Sequence, residues 1–121
     1  MSREYTLGLY EKSMPDDITW KDKLLAAKEA GYDWVEISID ASEAKINRIY
    51  MTKEERLELV SLMYETGMPI RTMCVSALTK YAIGSHDPAT VLRGMEILEK
   101  SIELADDLGH QKLQLRSVRG L

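Results

Sequence analysis

Hydrophobic and polar positions alternate along this chain with two periods, and the change from one to the other marks its elements. Residues 34–40 show the clearest period of two: Val35, Ile37 and Ile39 alternate with Glu36, Ser38 and Asp40, as in a strand with one buried face. Tyr5-Thr6-Leu7-Gly8-Leu9-Tyr10 reads as an earlier short strand, followed by a loop from Glu11 to Ile18. Ile70 to Ser76 is a third strand and Lys112 to Leu115 a short fourth.

Helical spacing fills the intervals. Thr19 is placed to cap a helix carrying Trp20, Leu24 and Ala27, with Asp22 three residues on and Gly31 to end it. A short helical turn is expected around residues 43–49. Thr52-x-x-Glu55 is a capping box opening a helix with Leu57, Leu59, Val60, Met63 and Tyr64 on its apolar face, stopping at Gly67. Asp87-Pro88 starts a long amphipathic helix through Val91, Leu92, Met95, Leu98, Ile102 and Ala105 to about Gly109. The order is βαβαβαβ, without a linker or low-complexity segment to divide it.

The polar parity of these strands selects among α/β folds. A sheet covered by helices on both faces has nearly continuous apolar strands. Here Glu36, Ser38 and Asp40, and again Thr72, Cys74 and Ser76, lie opposite the apolar positions, and Gly8 and Gln114 fit the same small or polar face. Helices on one face and hydrophilic side chains on the other suit a (β/α) barrel with a wet interior. A full barrel takes about 250 residues, so this chain is expected to form a single domain over residues 1–121, half of a (β/α)8 TIM barrel. Four parallel strands in order 1-2-3-4 would carry the three main helices on one face. Neither a Walker pattern nor GxGxxG follows the first strand.

Composition narrows the partners. Sixteen basic and twenty acidic residues give a net charge of −4, which argues against nucleic-acid binding. No apolar run approaches the roughly 20 residues of a membrane span, and the first residues show no signal-peptide core, so a cytoplasmic protein is expected. The single Cys74 and two histidines make a Cys/His zinc site untenable.

Gly8-Leu9-Tyr10-Glu11-Lys12, then Val35-Glu36-Ile37-Ser38-Ile39-Asp40, then Met73-Cys74-x-Ser76-Ala77 with Gly84-Ser85 behind it, resemble the L-ribulose/L-xylulose-5-phosphate 3-epimerases of the xylose-isomerase-like TIM barrels. The blocks run in order from about Thr6 to Leu115 and cover the first half of that family's barrel. The resemblance implies inversion at carbon 3 of a ketopentose phosphate through an enediolate, with a divalent cation polarising the carbonyl and two carboxylates exchanging the proton. It also implies that the cation's ligands come from the second half of the barrel, so no metal ligand and no catalytic residue is carried over, and this chain alone is expected to be inactive. Two departures stand out. Leu78 and Thr79 replace a His-Arg type of pair, and the tail Arg116-Ser117-Val118-Arg119-Gly120-Leu121 diverges, as after a frameshift, an early stop or a deliberate cut.

The substrate-binding candidates are Tyr10, Glu11, Lys12, Glu36, Asp40, Cys74 and Ser76. Glu36 and Asp40 are expected on one strand face toward its C-terminal end, where barrels place reactive groups; the competing reading is an exposed polar face. Lys12 is a point charge able to meet a phosphate, or an ordinary exposed lysine. Cys74 reads as a small pocket-wall residue, not a nucleophile, because nothing nearby would lower its pKa. His86 and His110 read as loop and helix-end residues. Met14, Met51, Met63, Met68, Met73 and Met95 read as core or boundary packing. Three functions stay open: a half of an epimerase, a homo-oligomer assembled through the open half-barrel, and a small α/β binding domain.

Overall fold

The structure, a computed structural model, describes residues 5–109 and, for the backbone alone, 112–115. Its strands are β1 (Gly8–Tyr10), β2 (Trp34–Ser38), β3 (Ile70–Val75) and β4 (Lys112–Leu115), and its helices are α1 (Trp20–Glu29), α2 (Glu43–Ile46), α3 (Lys53–Thr66) and α4 (Pro88–Asp107). Three 3-10 turns, Glu11–Ser13, Asn47–Tyr50 and Ser76–Thr79, follow β1, α2 and β3. The strands form one parallel sheet in order β1-β2-β3-β4, as the alternating pattern and the right-handed crossover rule lead one to expect.

One core cluster joins Val35, Ile37 and Ile39, then Ile70, Met73 and Val75, to Leu24 and Ala27 of α1, Leu59 of α3, and Ile97 and Leu104 of α4. All three long helices therefore pack on the same face of the sheet. Each fully buried Ile or Leu in this layer contributes about 1.5–3 kcal/mol. A bulge lies where Val35 pairs with Ile70 but Glu36 pairs with Thr72, so Arg71 is skipped. The extra residue reverses the parity of β3. Ile70 thereby enters the core while Thr72, two residues on, joins the polar face.

Helix ends match their sequence signals. Thr19 Oγ1 accepts from Asp22 N at 3.1 Å, and Gly31 and Gly67 take positive φ after α1 and α3, a conformation glycine enters without a Cβ penalty. The Thr52 box closes in both directions: Glu55 N donates to Thr52 Oγ1 at 3.1 Å, and Thr52 N to Glu55 Oε1 at 2.9 Å. Thr52→Ala is expected to lower stability by about 1 kcal/mol, read as a fall in the urea midpoint at unchanged m-value; an unchanged midpoint would show the box to be idle.

Several expectations are corrected. β2 ends at Ser38 and not at Asp40, and β3 ends at Val75, so Ser76 opens a turn instead of continuing the strand. On α4 the expected face is half right: Ala105 is core and Leu98 packs against it. Leu92, Met95 and Ile102 are more than half exposed, whereas Gly94, Ile97, Ser101, Leu104 and Ala105 are buried. On α3, Leu57 and Tyr64 also point to solvent. Gly94 and Ser101 decide the α4 face: small residues let the helix approach closely, and a Cβ at Gly94 would collide with the Tyr81 carbonyl. Of the methionines read as packing residues, Met68 and Met73 are core, Met14, Met51 and Met63 border it, and Met95 is exposed. The expectations for His110, the Gln114 side chain and the tail fall outside the described residues.

Candidate functional site

The second face of the sheet begins with a plug. Gly8 pairs with Trp34, and the indole lies so close over the glycine that a Cβ there would overlap the ring. Above this row, Tyr10 pairs with Glu36 and Glu36 with Thr72; one row further, Ser38 pairs with Cys74. The side chains link as their register dictates. Thr72 Oγ1 donates to Glu36 Oε2 at 2.8 Å, and the Tyr10 and Ser38 hydroxyls lie 3.2 Å apart. Cys74 is fully buried beside them, as a wall residue would be. Burial pushes the Tyr10 phenol up, a shift that the Ser38 hydrogen bond opposes and Cys74 reinforces.

At the C-terminal mouth of β1 and β2 the candidates separate by role. Lys12 Nζ sits 2.9 Å from Asp40 Oδ2, and the Asp40 hydrogen bond raises the Lys12 pKa. Asp40 leaves the strand to accept from Ser42 N at 2.8 Å and from the Ser42 hydroxyl. Partial burial would raise its pKa, but Ser42 and Lys12 outweigh this and lower it to about 2. A folded value below the ordinary 3.8 means that folding favours the ionised form. The stabilisation is therefore complete above that ordinary value and is lost as pH falls through about 2. A carboxyl-carbon NMR titration should find Asp40 titrating near that pH, and Lys12→Met should move it upward; an ordinary carboxylate titration in the unaltered chain would refute this.

Glu11 is the large surprise. Expected at an open pocket mouth, it is completely buried. Its Oε1 accepts from Ser38 N at 2.7 Å, its Oε2 from Lys23 Nζ at 2.8 Å and from Arg48 Nη2 at 2.9 Å, and Arg48 Nη1 closes a second bond to Oε1. Burial alone would raise this carboxyl; Arg48 and Lys23 outweigh it and hold it below the usual carboxylate range. The Trp20 ring lies 5.0 Å from both Lys23 Nζ and the Arg48 guanidinium carbon. Sequence reasoning passed over Lys23 and Arg48. A signal existed for Lys23, since it lies one position before Leu24 on the inward side of α1, but none announced Arg48 in a short mixed segment. Ser76 lies beyond β3 with its Oγ buried and without a hydrogen-bond partner among the described residues.

The polar face thus holds Tyr10, Glu36, Ser38, Thr72 and Cys74 together, places Lys12 and Asp40 at its rim, and withdraws Glu11 into a buried ion cluster. Among the described residues no three His, Cys, Asp or Glu side chains gather to hold a metal ion. Asp40 is paired with Lys12 and Ser42, and Glu36 with Thr72. His86 is exposed in a loop. No helix among the described residues is long and apolar enough to cross a membrane.

A parallel sheet with its helices on one face and a polar wall on the other is the partial barrel of a TIM-type α/β protein. The family model of the xylose isomerase-like TIM barrel matches residues 24–120, and the chain belongs to that family. It is 40% identical over 115 residues to the L-ribulose-5-phosphate 3-epimerase UlaE of Salmonella heidelberg (strain SL476), covering 95% of this chain and 40% of that protein. The same figures hold for UlaE of Salmonella enteritidis PT4. The chain therefore spans about two-fifths of the length of these relatives. Among solved structures, D-psicose 3-epimerase in the presence of D-fructose superposes with a TM-score of 0.73 at 12% identity, covering 92% of this chain and 37% of that one. The apo 3-keto-D-glucoside 4-epimerase YcjR of E. coli gives 0.63 at 20%, covering 91% and 37%. Both likenesses speak for the fold alone.

Proposed function

We propose that this chain is the N-terminal (β/α)4 part of a ketopentose-phosphate 3-epimerase barrel, one domain whose task is to bind and orient the sugar. The observation that carries the reading is the row of Tyr10, Glu36, Ser38 and Thr72 along one face of a sheet whose other face is core. The half-buried Tyr10 and Thr72 hydroxyls, backed by the buried Ser38 and Glu36, suit the hydroxyl groups of an open-chain sugar. Lys12 at the rim supplies a point charge for a phosphate in exchange for its bond to Asp40. Similarity to L-ribulose-5-phosphate 3-epimerases supports the substrate class. The family's cation would activate the carbonyl in the complete barrel, and the work proposed for this chain's residues is binding, orientation and exclusion of water.

The test is an assay of the purified chain with L-ribulose 5-phosphate, with and without added divalent cation, beside a calorimetric titration. Binding without interconversion to L-xylulose 5-phosphate is expected, and Lys12→Met should weaken it for the phosphorylated sugar only. Metal-dependent turnover by the chain alone would overturn the non-catalytic part of the proposal, and absence of any binding would overturn the rest.

A second reading, self-association, is favoured by one feature: β1 and β4 stand at the two edges of the described sheet. Unpaired edges invite strand addition, and two copies joined β1 to β4 about a twofold axis would bring eight strands together. Light scattering at micromolar concentration is expected to report a dimer; a 13.8 kDa monomer with a cooperative melt would refute it.

A further inference from the structure

β1 is too short for its partner. Its last pair is Tyr10 with Glu36, yet β2 continues to Ser38. In a parallel strand the backbone groups of alternate residues point to alternate sides. Ile39 N donates to Cys74 O at 2.9 Å and Ile39 O accepts from Ala77 N at 3.0 Å, so Ile39 serves the β3 side and Ser38 faces the side that β1 has abandoned. Both Ser38 backbone groups nevertheless have partners, and both partners are side chains. Glu11 Oε1 takes the N–H at 2.7 Å, and Arg48 Nη1 donates to the C=O at 2.8 Å.

From this ring of contacts we infer that Glu11 and Arg48 act as a positioning clamp, replacing one rung of the sheet and, through the buried Ser38, setting the half-buried Tyr10 hydroxyl for ligand. The inference rests on the sugar-binding reading above. The clamp reaches the polar face along two routes. Glu11 directly follows Tyr10 in the chain, and Ser38 carries its own Oγ to within 3.2 Å of the Tyr10 hydroxyl. Arg48 belongs to the 3-10 turn Asn47–Tyr50, so this turn is tied to the wall of the site and not only to the outer layer. Lys23 and the Trp20 ring hold the clamp from behind.

The guanidinium is needed for its shape. One planar fork meets both carboxylate oxygens of Glu11 and still reaches a carbonyl, which an ammonium on a flexible stem cannot reproduce. Arg48 hydrogen-bonds the Glu11 carboxylate and the Ser38 carbonyl, so its part is positioning and not catalysis.

The experiment compares Arg48→Lys and Arg48→Ala with the unaltered chain by NMR and by titration with L-ribulose 5-phosphate. In the unaltered chain the Ser38 amide proton should lie far downfield and exchange slowly. Arg48→Lys, which keeps the charge, should shift that amide and the Tyr10 ring signals and weaken sugar-phosphate binding about tenfold. Ethylguanidinium added to Arg48→Ala should restore the amide shift. If Arg48→Ala does not fold, Arg48→Lys decides alone. Unchanged Ser38 and Tyr10 signals in Arg48→Lys overturn the clamp. An unaltered chain that binds no sugar phosphate overturns the sugar-binding reading instead, while the Ser38 signal still judges the clamp.

Discussion

Replacing Glu11 by alanine is expected to cost about 3–5 kcal/mol, the range for removing one partner of a buried ion pair. The carboxylate is fully buried and meets Lys23, Arg48 and the Ser38 amide. Its loss leaves two desolvated cations facing each other and an amide without an acceptor. The two cations reach water only by leaving the Trp20 ring, which lies 5.0 Å from each. Glu11→Gln should cost less, because an amide oxygen still accepts from Ser38, but the charge deficit persists. Urea denaturation of both variants gives the measurement. A loss below about 1 kcal/mol for Glu11→Ala would place the pair among weakly contributing surface contacts and contradict the burial described above.

Gly94→Ala is the second prediction, and its interest lies in its sign. By helix propensity alone, alanine in place of an interior glycine stabilises by about 1 kcal/mol. In α4, however, the new methyl would be driven into the Tyr81 carbonyl oxygen, with the Tyr81 carbonyl carbon at 3.3 Å and Ile83 Cγ1 at 3.5 Å. A backbone carbonyl cannot swing aside as a flexible side chain does, so α4 or the 77–86 connection has to move. Such overpacking costs about 1–3 kcal/mol, and the net change is expected to be destabilising. A melting temperature equal to or above that of the unaltered chain would show that α4 has room to retreat.

These two sites illustrate how legibility varied along the chain. β2 and the α3 start were readable because each rests on a local rule. Strict alternation from Val35 to Ile39 requires a one-sided strand, and Thr52 with Glu55 closes a box within four residues. The polar wall followed from the same alternation: Tyr10, Glu36 and Cys74 were expected on it, and the described register brings them together. α4 was read only in part because its sequence carries two apolar stripes. Leu92, Met95 and Ile102 look as inward as Gly94, Ile97, Ser101, Leu104 and Leu108, although the latter keep a regular three-four spacing. Only contact with the sheet chooses between them, and it chooses the stripe with small residues that permits closer approach.

The Arg48 contacts show the other limit. Nothing local ties residue 48 to residue 11 or to residue 38; the three meet because β1 ends early, and the turn after α2 folds back over the gap. Likewise the bulge at Arg71, which exchanges the parity of β3, arises from pairing with β2 and has no signature inside β3 itself. The sequence by itself determined the parallel α/β order, the single core face and the polar wall, because hydrophobic period and capping chemistry act over a few neighbouring residues. The tertiary structure alone decided which stripe of α4 is buried, where the strands end, and that Glu11 is a buried anchor instead of a pocket residue. Those outcomes depend on distant groups competing for the same space and the same hydrogen bonds, and that competition is settled only when the layers pack.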